Sequence, residues 1–356
     1  MISYPETEQF RSVITKVLRY TRRHEADRDK ELPVMKFIGT IKLHGTNSAI
    51  CYQKDSGHWC QSRNNIITPQ KDNAGFAQYI DPLADEFFND YVLSQSSIIR
   101  EQYEQGRKII IFGEWCGGNI QKNVAICGLT KMFVIFKIRI IGDQIKTTED
   151  EDQIKTMEDE DQIQVDKNSF WIDPKDWSNI KWHKKSIYNI YDFPTFEIDI
   201  DFNSPQLSQN KLVEITEEVE RQCPIGTYFN KVGIGEGVVW TEWTLTHGDL
   251  TFKVKGEQHS VSKVKTLAPV DTEKLANIQE FIDYACTENR MYQGLDYLRE
   301  QQLTIEMKNI GTFLKWLLND IIKEEKDTME KSNIDIKDFP RAMQNKAKIW
   351  FQQHLS

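Results

Sequence analysis

Residues 37–53, with the sequence FIGTIKLHGTNSAICYQ, contain a lysine whose position suits a nucleophile. Lys42 follows an apolar run that predicts a buried strand, and small and polar residues come directly after it. An amine attacks only when it is unprotonated, and a free lysine has a pKa of about 10.4. Burial, neighbouring cations or a metal ion must therefore lower that pKa if Lys42 is the nucleophile.

A pair of lysines much later in the chain could supply such cations. Lys253 and Lys255 lie two residues apart in LTFKVKGEQHS, a predicted strand. A spacing of two places both side chains on one face, where they could bind a triphosphate and lower the pKa of a third lysine. An exposed strand face would give the same pattern, and for this motif taken alone it is the favoured interpretation.

Two glutamates lie beside glycines at the ends of predicted strands. Glu114, in IIIFGEWCGG, suits a contact with a ribose hydroxyl, although an edge-strand acid is an equal alternative. Glu236, in GIGEGVVW, could hold a divalent cation directly or through water. The glycines around Glu236 precede a strand and not a helix, which excludes a dinucleotide-binding loop.

An arginine and two phenylalanines complete the candidate set. Arg63 ends the tripeptide QSR and could form a fork to phosphate. Phe133 and Phe136 lie in KMFVIFKIRI. A phenyl face stacked on a purine contributes ~1–3 kcal/mol, whereas core packing is the commoner use, and we expect one of the two to serve only the core.

The elements that must position these residues are short strands separated by turn residues. The region from 72 to 105 has a helical pattern instead, so residues 1–265 predict an α+β domain. The predicted strands cover 36–41, 48–54, 108–114, 132–141, 196–202, 237–245 and 250–255.

The chain from 271 to 356 predicts a small all-α domain. Asp271 is the expected N-cap of a first helix, Thr304 that of a longer one, and an amphipathic stretch covers 336–354. Apolar residues at helical spacing support both helices: Leu275, Ile278, Ile282 and Ala285 in the first, and Ile310, Phe313, Leu314, Leu317 and Ile321 in the second.

Composition is that of a globular protein, with 39% hydrophobic and 28% charged residues. The first ten residues do not have the pattern of a secretory signal, and no apolar run is long enough to span a membrane. The six cysteines show no CxxC or zinc-ligand spacing, which predicts buried, reduced thiols. We expect an intracellular protein, cytoplasmic or nuclear, with no membrane partner.

The formal charge of −9 is concentrated in one acidic segment. Residues 143–166 hold ten acidic and two basic residues, so this segment alone contributes −8. It contains a near-verbatim tandem repeat, DQIKTTEDE and DQIKTMEDE, which favours a solvated loop extension. The rest of the chain is nearly neutral, so its net charge does not argue against a basic groove that binds phosphate.

The motifs taken in order resemble those of the covalent nucleotidyltransferases. The series is KLHGTN, then Ser-Arg, Phe-Gly-Glu, Phe-x-x-Phe, Glu-Gly-Val-Val and Lys-x-Lys. It is most similar to the RNA ligase 2-like family of ATP-dependent RNA ligases, because DNA ligases and capping enzymes usually have Asp where this chain has His44. The helical tail also resembles that family. Two features depart from it: Lys137, where relatives often have Asp, and the acidic repeat.

This resemblance implies a nucleotidyltransferase (adenylation) domain built on antiparallel sheets and a role for each matched residue. Lys42 would be the nucleophile, Glu114 would bind ribose, Phe136 would stack on adenine, and Glu236 would serve the metal ion. Lys253 and Lys255 would bind phosphates. The remaining implied contacts to the nucleotide or the RNA are Ile41, Leu43, His44, Thr46, Asn47, Arg63 and Gln121.

The implied reaction joins RNA ends that carry a 5′-phosphate and a 3′-hydroxyl. ATP is the substrate, Mg²⁺ or Mn²⁺ the metal ion, and lysyl-AMP and AMP-capped RNA the intermediates; we expect a monomer. Two alternatives stay open. One is a capping-type guanylyltransferase or a DNA ligase, and the other is a relative that binds RNA ends without catalysis. The sequence does not distinguish nicked duplex from single-stranded RNA.

Overall fold

The computed structural model divides the chain into two compact units. The first unit comprises Met1–Ile2, Asn47–Trp115 and Met132–Asp192. The second unit comprises Ser3–Thr46, Cys116–Lys131 and Phe193–Ser356. The structure describes residues 1–23, 27–142, 169–259 and 278–355.

Seven strands of the described residues match the predicted β-rich runs. Five others were not predicted: Glu8–Gln9, Gly57–Ser62, Ile66–Ile67, Ser169–Trp171 and Ile187–Asn189. In chain order, the strands are β1 Glu8–Gln9, β2 Val34–Lys42, β3 Thr46–Gln53, β4 Gly57–Ser62, β5 Ile66–Ile67, β6 Lys108–Cys116, β7 Met132–Ile141, β8 Ser169–Trp171, β9 Ile187–Asn189, β10 Phe196–Asp201, β11 Gly237–Glu242 and β12 Thr251–Lys255.

The helices lie in both units, and the last five of them form the end of the chain. They are α1 Phe10–Thr21, α2 Phe76–Ile80, α3 Ala84–Glu86, α4 Ser97–Glu104, α5 Gln206–Arg221, α6 Pro224–Tyr228, α7 Ile278–Ala285, α8 Glu288–Glu300, α9 Ile310–Glu324, α10 Lys326–Ser332 and α11 Pro340–Gln353. A π-helical turn, Phe87–Leu93, lies between α3 and α4.

The first unit is built on a sheet with the strand order β5-β4-β3-β6-β7-β8, and β9 pairs with β7 in parallel. Ile109 to Phe112 of β6 are completely buried, as expected for an apolar run in a central strand. The helical pattern predicted for 72–105 corresponds to α2–α4 and the π-helical turn. In this region Phe88 stacks on Tyr52 of β3, with 3.8 Å between ring centroids.

The second unit contains a sheet with the strand order β1-β12-β11-β2-β10. β12, β11, β2 and β10 pair in antiparallel fashion, and β1 runs parallel to β12. Phe10, Phe37 and Phe252 pack together beneath the sheet, with centroid distances of 5.0 and 5.2 Å to Phe252. This packing fixes β2 and β12 on either side of β11.

Helices α7–α11 share an apolar core in the second unit. Its buried members include Phe281, Leu295, Phe313, Leu317 and Phe351. Their helical spacing explains why the sequence indicates an all-α tail. The predicted cap at Thr304 is wrong. Residues 307–309 form a 3₁₀ turn first, and α9 starts at Ile310 with Asn309 in the N-cap position.

A buried ionic network connects α1 with the C-terminal helices. The carboxylate of Glu325 is fully buried and lies 3.2 Å from Arg11 and 2.8 Å from Arg290. It also accepts a hydrogen bond of 3.0 Å from the hydroxyl of Tyr284. Arg290 is itself fully buried and contacts Asp320 at 2.9 Å. Buried charges require such partners, so this network specifies how α1 and the helices dock.

The expected α+β fold with antiparallel sheets and a helical C-terminal region is confirmed. All six cysteines are free and buried. Within the described ranges, no helix is both long and apolar enough to cross a bilayer. The acidic segment 143–166, Asp271 and Leu275 lie outside the described residues. The boundary between 265 and 271 also lies outside them and stays a prediction.

Candidate functional site

Lys42 is the last residue of β2, and its amine is held by a buried carboxylate. Its Nζ lies 2.8 Å from Oε2 of Glu236 and 3.4 Å from the carbonyl oxygen of Leu43. The Lys42 side chain is 22% exposed, whereas that of Glu236 is 3% exposed. The lysine is thus fixed at a strand end and still reachable from solvent.

Glu236 gathers three cationic or basic groups. Besides Lys42, its oxygens lie 3.0 Å from Nζ of Lys255 and 3.3 Å from Nδ1 of His44. Burial alone would raise the pKa of the Glu236 carboxyl, but the charges of Lys42, Lys255 and His44 outweigh burial and hold that pKa well below its usual range. Glu236 is therefore a carboxylate at neutral pH.

Strand register explains why these lysines meet. Gly237 of β11 pairs with Lys42 of β2 on one side and with Lys255 of β12 on the other. Its φ is +151°, and a Cβ at this position would lie 2.1 Å from the carbonyl oxygen of Val254. Only glycine fits at this position. Gly237 therefore allows the backbones of β2 and β12 to lie close beside Glu236.

Lys255 is largely buried, with 12% of its side chain exposed, and this changes its titration. Burial lowers the pKa of Lys255 to about 8; nearby Lys42 and Lys253 act in the same direction, and Glu236 opposes them. Lys255 can therefore lose its proton within a unit of neutral pH.

His259 is a site residue that the sequence reasoning missed. Its ring packs edge-on to that of His44, with 5.7 Å between centroids. Burial lowers the pKa of His259 to about 4, which keeps the ring neutral. His259 lies in the same LTFKVKGEQHS stretch as the two lysines, but a histidine past a strand end carries no spacing signal.

Lys253 lies on the same face of β12 as Lys255 but has a different partner. Its Nζ is 3.8 Å from Oε1 of Glu324, at the end of α9. The pair predicted to act together is therefore divided between two carboxylates, Glu236 and Glu324.

The other predicted residues of the second unit surround Lys42 in sequence or lie in a nearby loop. Ile41, Leu43 and Thr46 are buried. Gln121 is also largely buried and lies beside the carbonyl oxygen of Gly45. Turning its amide so that nitrogen faces acceptors gives hydrogen bonds of 3.0 and 3.2 Å to the two carboxylate oxygens of Asp296 on α8. We assign this orientation, because the alternative sets an amide oxygen against a carboxylate.

The remaining predicted residues belong to the first unit. Asn47 lies on β3, and Arg63 follows β4 and is exposed. Glu114 lies on β6 and Phe136 on β7, and both are partly exposed. Phe133 is completely buried and packs on Phe76 at 5.0 Å between centroids. Phe133 is therefore the phenylalanine that serves the core.

The departure at Lys137 has a structural explanation. Successive side chains of a strand point to opposite faces, so Lys137 and Phe136 face opposite sides of β7. The Lys137 side chain is buried, with its Nζ 4.3 Å from the ring centroid of Trp171. The Lys137 side chain therefore packs on the opposite side of the sheet from Phe136 and does not lie on the face where Phe136 is expected to stack on adenine.

The described residues do not form a metal site by themselves. Among them, no group of three or more His, Cys, Asp or Glu side chains is arranged to hold an ion. Both oxygens of Glu236 already contact basic groups. Mg²⁺ often binds through one carboxylate together with substrate phosphates, so phosphates would have to supply most of the ligands.

Comparison with known structures found RNA ligase from Naegleria gruberi. Its complex with PPi is 17% identical, covers 72% of this chain and 56% of that chain, and has a TM-score of 0.40. A variant of that ligase with ATP and Mn is 16% identical, covers 72% and 57% of the two chains, and also has a TM-score of 0.40. This chain therefore spans little more than half the length of these relatives. A search of curated proteins found no match.

A family description provides the stronger comparison. The model of the family described as "RNA ligase" matches residues 35–255, from the start of β2 to the end of β12. The matched region contains Lys42, Glu236 and Lys255, which the structure brings together. It covers more than half of the 356 residues, and the chain belongs to the RNA ligase family.

Proposed function

We propose that this protein is an ATP-dependent RNA ligase that seals 5′-phosphate and 3′-hydroxyl RNA ends. The observation that carries the proposal is the placement of the Lys42 amine at a strand end, 2.8 Å from buried Glu236, with Lys255 on the other side of that carboxylate. A reactive amine beside a second lysine is an arrangement that suits nucleotidyl transfer to lysine.

In the first proposed step, Nζ of Lys42 attacks the α-phosphorus of ATP. A nitrogen–phosphorus bond forms, the bond to the β-phosphate oxygen breaks, and pyrophosphate leaves. The amine must lose a proton to the solvent or to a nearby base. Nζ of Lys42 contacts Oε2 of Glu236 at 2.8 Å, so we propose that ATP binding loosens this contact and that Glu236 mainly positions Lys42.

Two further transfers complete the proposed reaction. The AMP moves from Lys42 to the 5′-phosphate of an RNA end, and the 3′-hydroxyl of the other end then attacks that phosphate and releases AMP. Negative charge develops on phosphate oxygens in each step, so Lys253 and Lys255 are the proposed stabilising cations. A divalent ion would neutralise further phosphate charge when it binds with ATP.

The remaining roles are proposed from the motif resemblance. Glu114 binds the ribose, Phe136 stacks on adenine and Arg63 contacts a sugar or phosphate. His44, Thr46, Asn47 and Gln121 contact the phosphates or the RNA ends.

Labelling with radioactive ATP tests the first step. We expect the wild-type protein to form a denaturation-resistant adduct and Lys42→Ala to form none, because the nucleophile is gone. Lys36→Ala is the matched control: Lys36 lies on the same strand, is 51% exposed and pairs with Glu197 on the surface. Full labelling of Lys42→Ala would remove Lys42 from the mechanism, and labelling by GTP but not by ATP would indicate a guanylyltransferase.

Ligation assays test the substrate. We expect sealing of 5′-phosphorylated RNA in the presence of ATP and magnesium, with nicked-duplex and single-stranded forms compared side by side. Sealing of DNA alone would indicate a DNA ligase, and RNA binding without any adduct would indicate a non-catalytic relative.

A further inference from the structure

Acidic residues of the C-terminal helices contact the groups that we propose bind phosphate. Glu324, at the end of α9, lies 3.8 Å from Nζ of Lys253, and its side chain is only 9% exposed. Asp296, on α8, accepts both hydrogen bonds from the Gln121 amide. Asp296 and His44 are also close enough to attract each other electrostatically.

A carboxylate and a phosphate compete for the same partners. Both present anionic oxygens that accept hydrogen bonds and ion pairs from lysine and amide groups. A triphosphate on Lys253 would bring a second anion towards Glu324, and two like charges beside one lysine repel each other. Each anion therefore weakens the binding of the other to Lys253.

Glu324 is held from its other side as well. The side chain of Gln9 donates a hydrogen bond to it, and Arg11 donates one to its backbone carbonyl oxygen. Gln9 is the parallel partner of Lys253 in the sheet. Glu324 therefore occupies a built position against β1 and β12 and is not a freely moving surface side chain.

We propose that Glu324 determines the affinity of the site for phosphate: its carboxylate neutralises Lys253 until the phosphates of ATP replace it. This inference rests on the proposed function. It makes α9 part of the nucleotide site, and Asp296 has the equivalent relation to Gln121.

Nucleotide binding to Glu324→Gln tests this. The amide keeps the size of the side chain and can still accept from Gln9, but it no longer competes by charge. The probe is α,β-methylene-ATP, which binds without transferring AMP. We expect its Kd to fall about three- to tenfold, as for loss of one partly screened competing charge. Glu330→Gln, which removes the same charge from an exposed position on α10, should leave the Kd unchanged.

The possible results distinguish failure of the Glu324 proposal from failure of the ligase proposal. An unchanged or higher Kd for Glu324→Gln, with normal binding by the wild type, overturns this inference and leaves the ligase proposal intact. Failure of the wild type to bind the analogue overturns both. A Kd reports only on molecules that can bind, so partial unfolding of the variant would not imitate the expected tightening.

A separate surface, in the first unit, has the character of a nucleic-acid contact. Residues 181–186, KWHKKS, form a fixed turn: His183–Lys185 are 3₁₀-helical, and Ser186 has a φ of +47°. The backbones of Trp182 and Ile187 hydrogen bond to each other at 2.8 and 3.2 Å. This turn presents His183, Lys184 and Lys185 to solvent.

Aromatic rings accompany this turn, and Nε2 of His183 lies 2.8 Å from the buried carboxylate of Asp192. Tyr91 stacks on Trp182 and His183 stacks on Tyr188, with 4.6 and 4.8 Å between centroids. Nζ of Lys185 lies 5.8 Å from the Trp182 centroid. Trp182 is buried, whereas the rings of Tyr91 and Tyr188 are partly exposed. Exposed lysines beside partly exposed aromatic rings are typical of surfaces that bind RNA backbones and bases. We infer that this turn is an RNA-binding surface, given the proposed ligase function.

Salt dependence of RNA binding tests the inference. We expect Lys184→Ala/Lys185→Ala to weaken binding of nicked RNA duplex, and the slope of log K against log[salt] to become smaller by about 1.4 to 1.8, as for two lost phosphate contacts. ATP labelling should be unchanged. The control is Lys36→Ala/Lys211→Ala, two lysines that are 51% and 57% exposed. Equal slopes for the variant and the wild type would overturn the inference, and a wild type that binds no RNA would overturn the ligase proposal too.

Discussion

Glu236 is the residue on which the electrostatics of the candidate site depend. Its buried carboxylate lies between Lys42, Lys255 and His44 and holds their charges at contact distances. Removing a carboxylate from water costs free energy, and the neighbouring cations offset that cost for Glu236. Glu236 in turn orients their side chains. Removing its charge would leave at least two ammonium groups facing each other.

Glu236→Gln is therefore expected to lower the free energy of unfolding by about 3 to 5 kcal/mol, the usual range for breaking a buried ion pair. Urea denaturation at neutral pH measures this. Glu197→Gln is the control, because Glu197 forms an exposed pair with Lys36 and its loss should cost about 0.5 kcal/mol or less. Equal costs for the two variants would show that burial of Glu236 has no energetic consequence.

The lowered pKa of Lys255 predicts a pH dependence of stability. Its folded pKa is about 8, below the unfolded value, so the unfolded state binds more protons above that pH and stability rises. Between pH 8 and 10 this contributes about 2 kcal/mol. Lys255→Met lacks this titratable group. In urea titrations, the free energy of unfolding of the wild type should therefore increase relative to that of the variant between pH 8 and 10. A constant difference between them would mean that the pKa of Lys255 is not lowered.

At the scale of elements, strand pairing brings the site together. β11 lies between β2 and β12, and Gly237 is the position where all three strands are in register. The approach of β12 leaves no room for a side chain there. The site thus depends on one backbone position as well as on its charged residues.

Gly237→Ala should lower the free energy of unfolding by about 3 kcal/mol or more and abolish the ATP adduct, because the new methyl group forces β11 and β12 apart. Gly311→Ala is the control. Gly311 lies in α9 with open space around it, so alanine there should be neutral or stabilise by up to about 1 kcal/mol. Thermal denaturation together with ATP labelling measures both effects, and a fully active Gly237→Ala protein would contradict this reading of the register.

At the scale of the whole molecule, local sequence patterns predict where helices and strands lie, but they do not predict which distant residues contact one another. Period-two alternation and turn residues are encoded locally, so β2 and β12, which carry Lys42 and Lys255, and β11, which begins directly after Glu236, could be predicted from sequence. The contacts of Asp296 with Gln121 and of Glu324 with Lys253 join residues far apart in the chain. No spacing rule indicates such pairs, and the buried Arg290–Glu325 network was missed for the same reason.

That network predicts an asymmetry between variants. Arg290→Met should lower the free energy of unfolding by about 3 to 5 kcal/mol, because Glu325 and Asp320 would lose their buried partner. Arg341→Met, at an exposed position on α11, should change it by less than about 0.5 kcal/mol. Urea denaturation compares them, and similar stabilities would show that the network does not hold α1 and the C-terminal helices together.

The most direct measurement of the central claim is the location of the adduct. The full-length protein is incubated with ATP and magnesium, digested under conditions that preserve phosphoramidates, and mapped by mass spectrometry. We predict that AMP is attached to the peptide containing Lys42, through its side-chain nitrogen. AMP on any other residue, or no AMP on a protein that nevertheless seals RNA, would contradict the account.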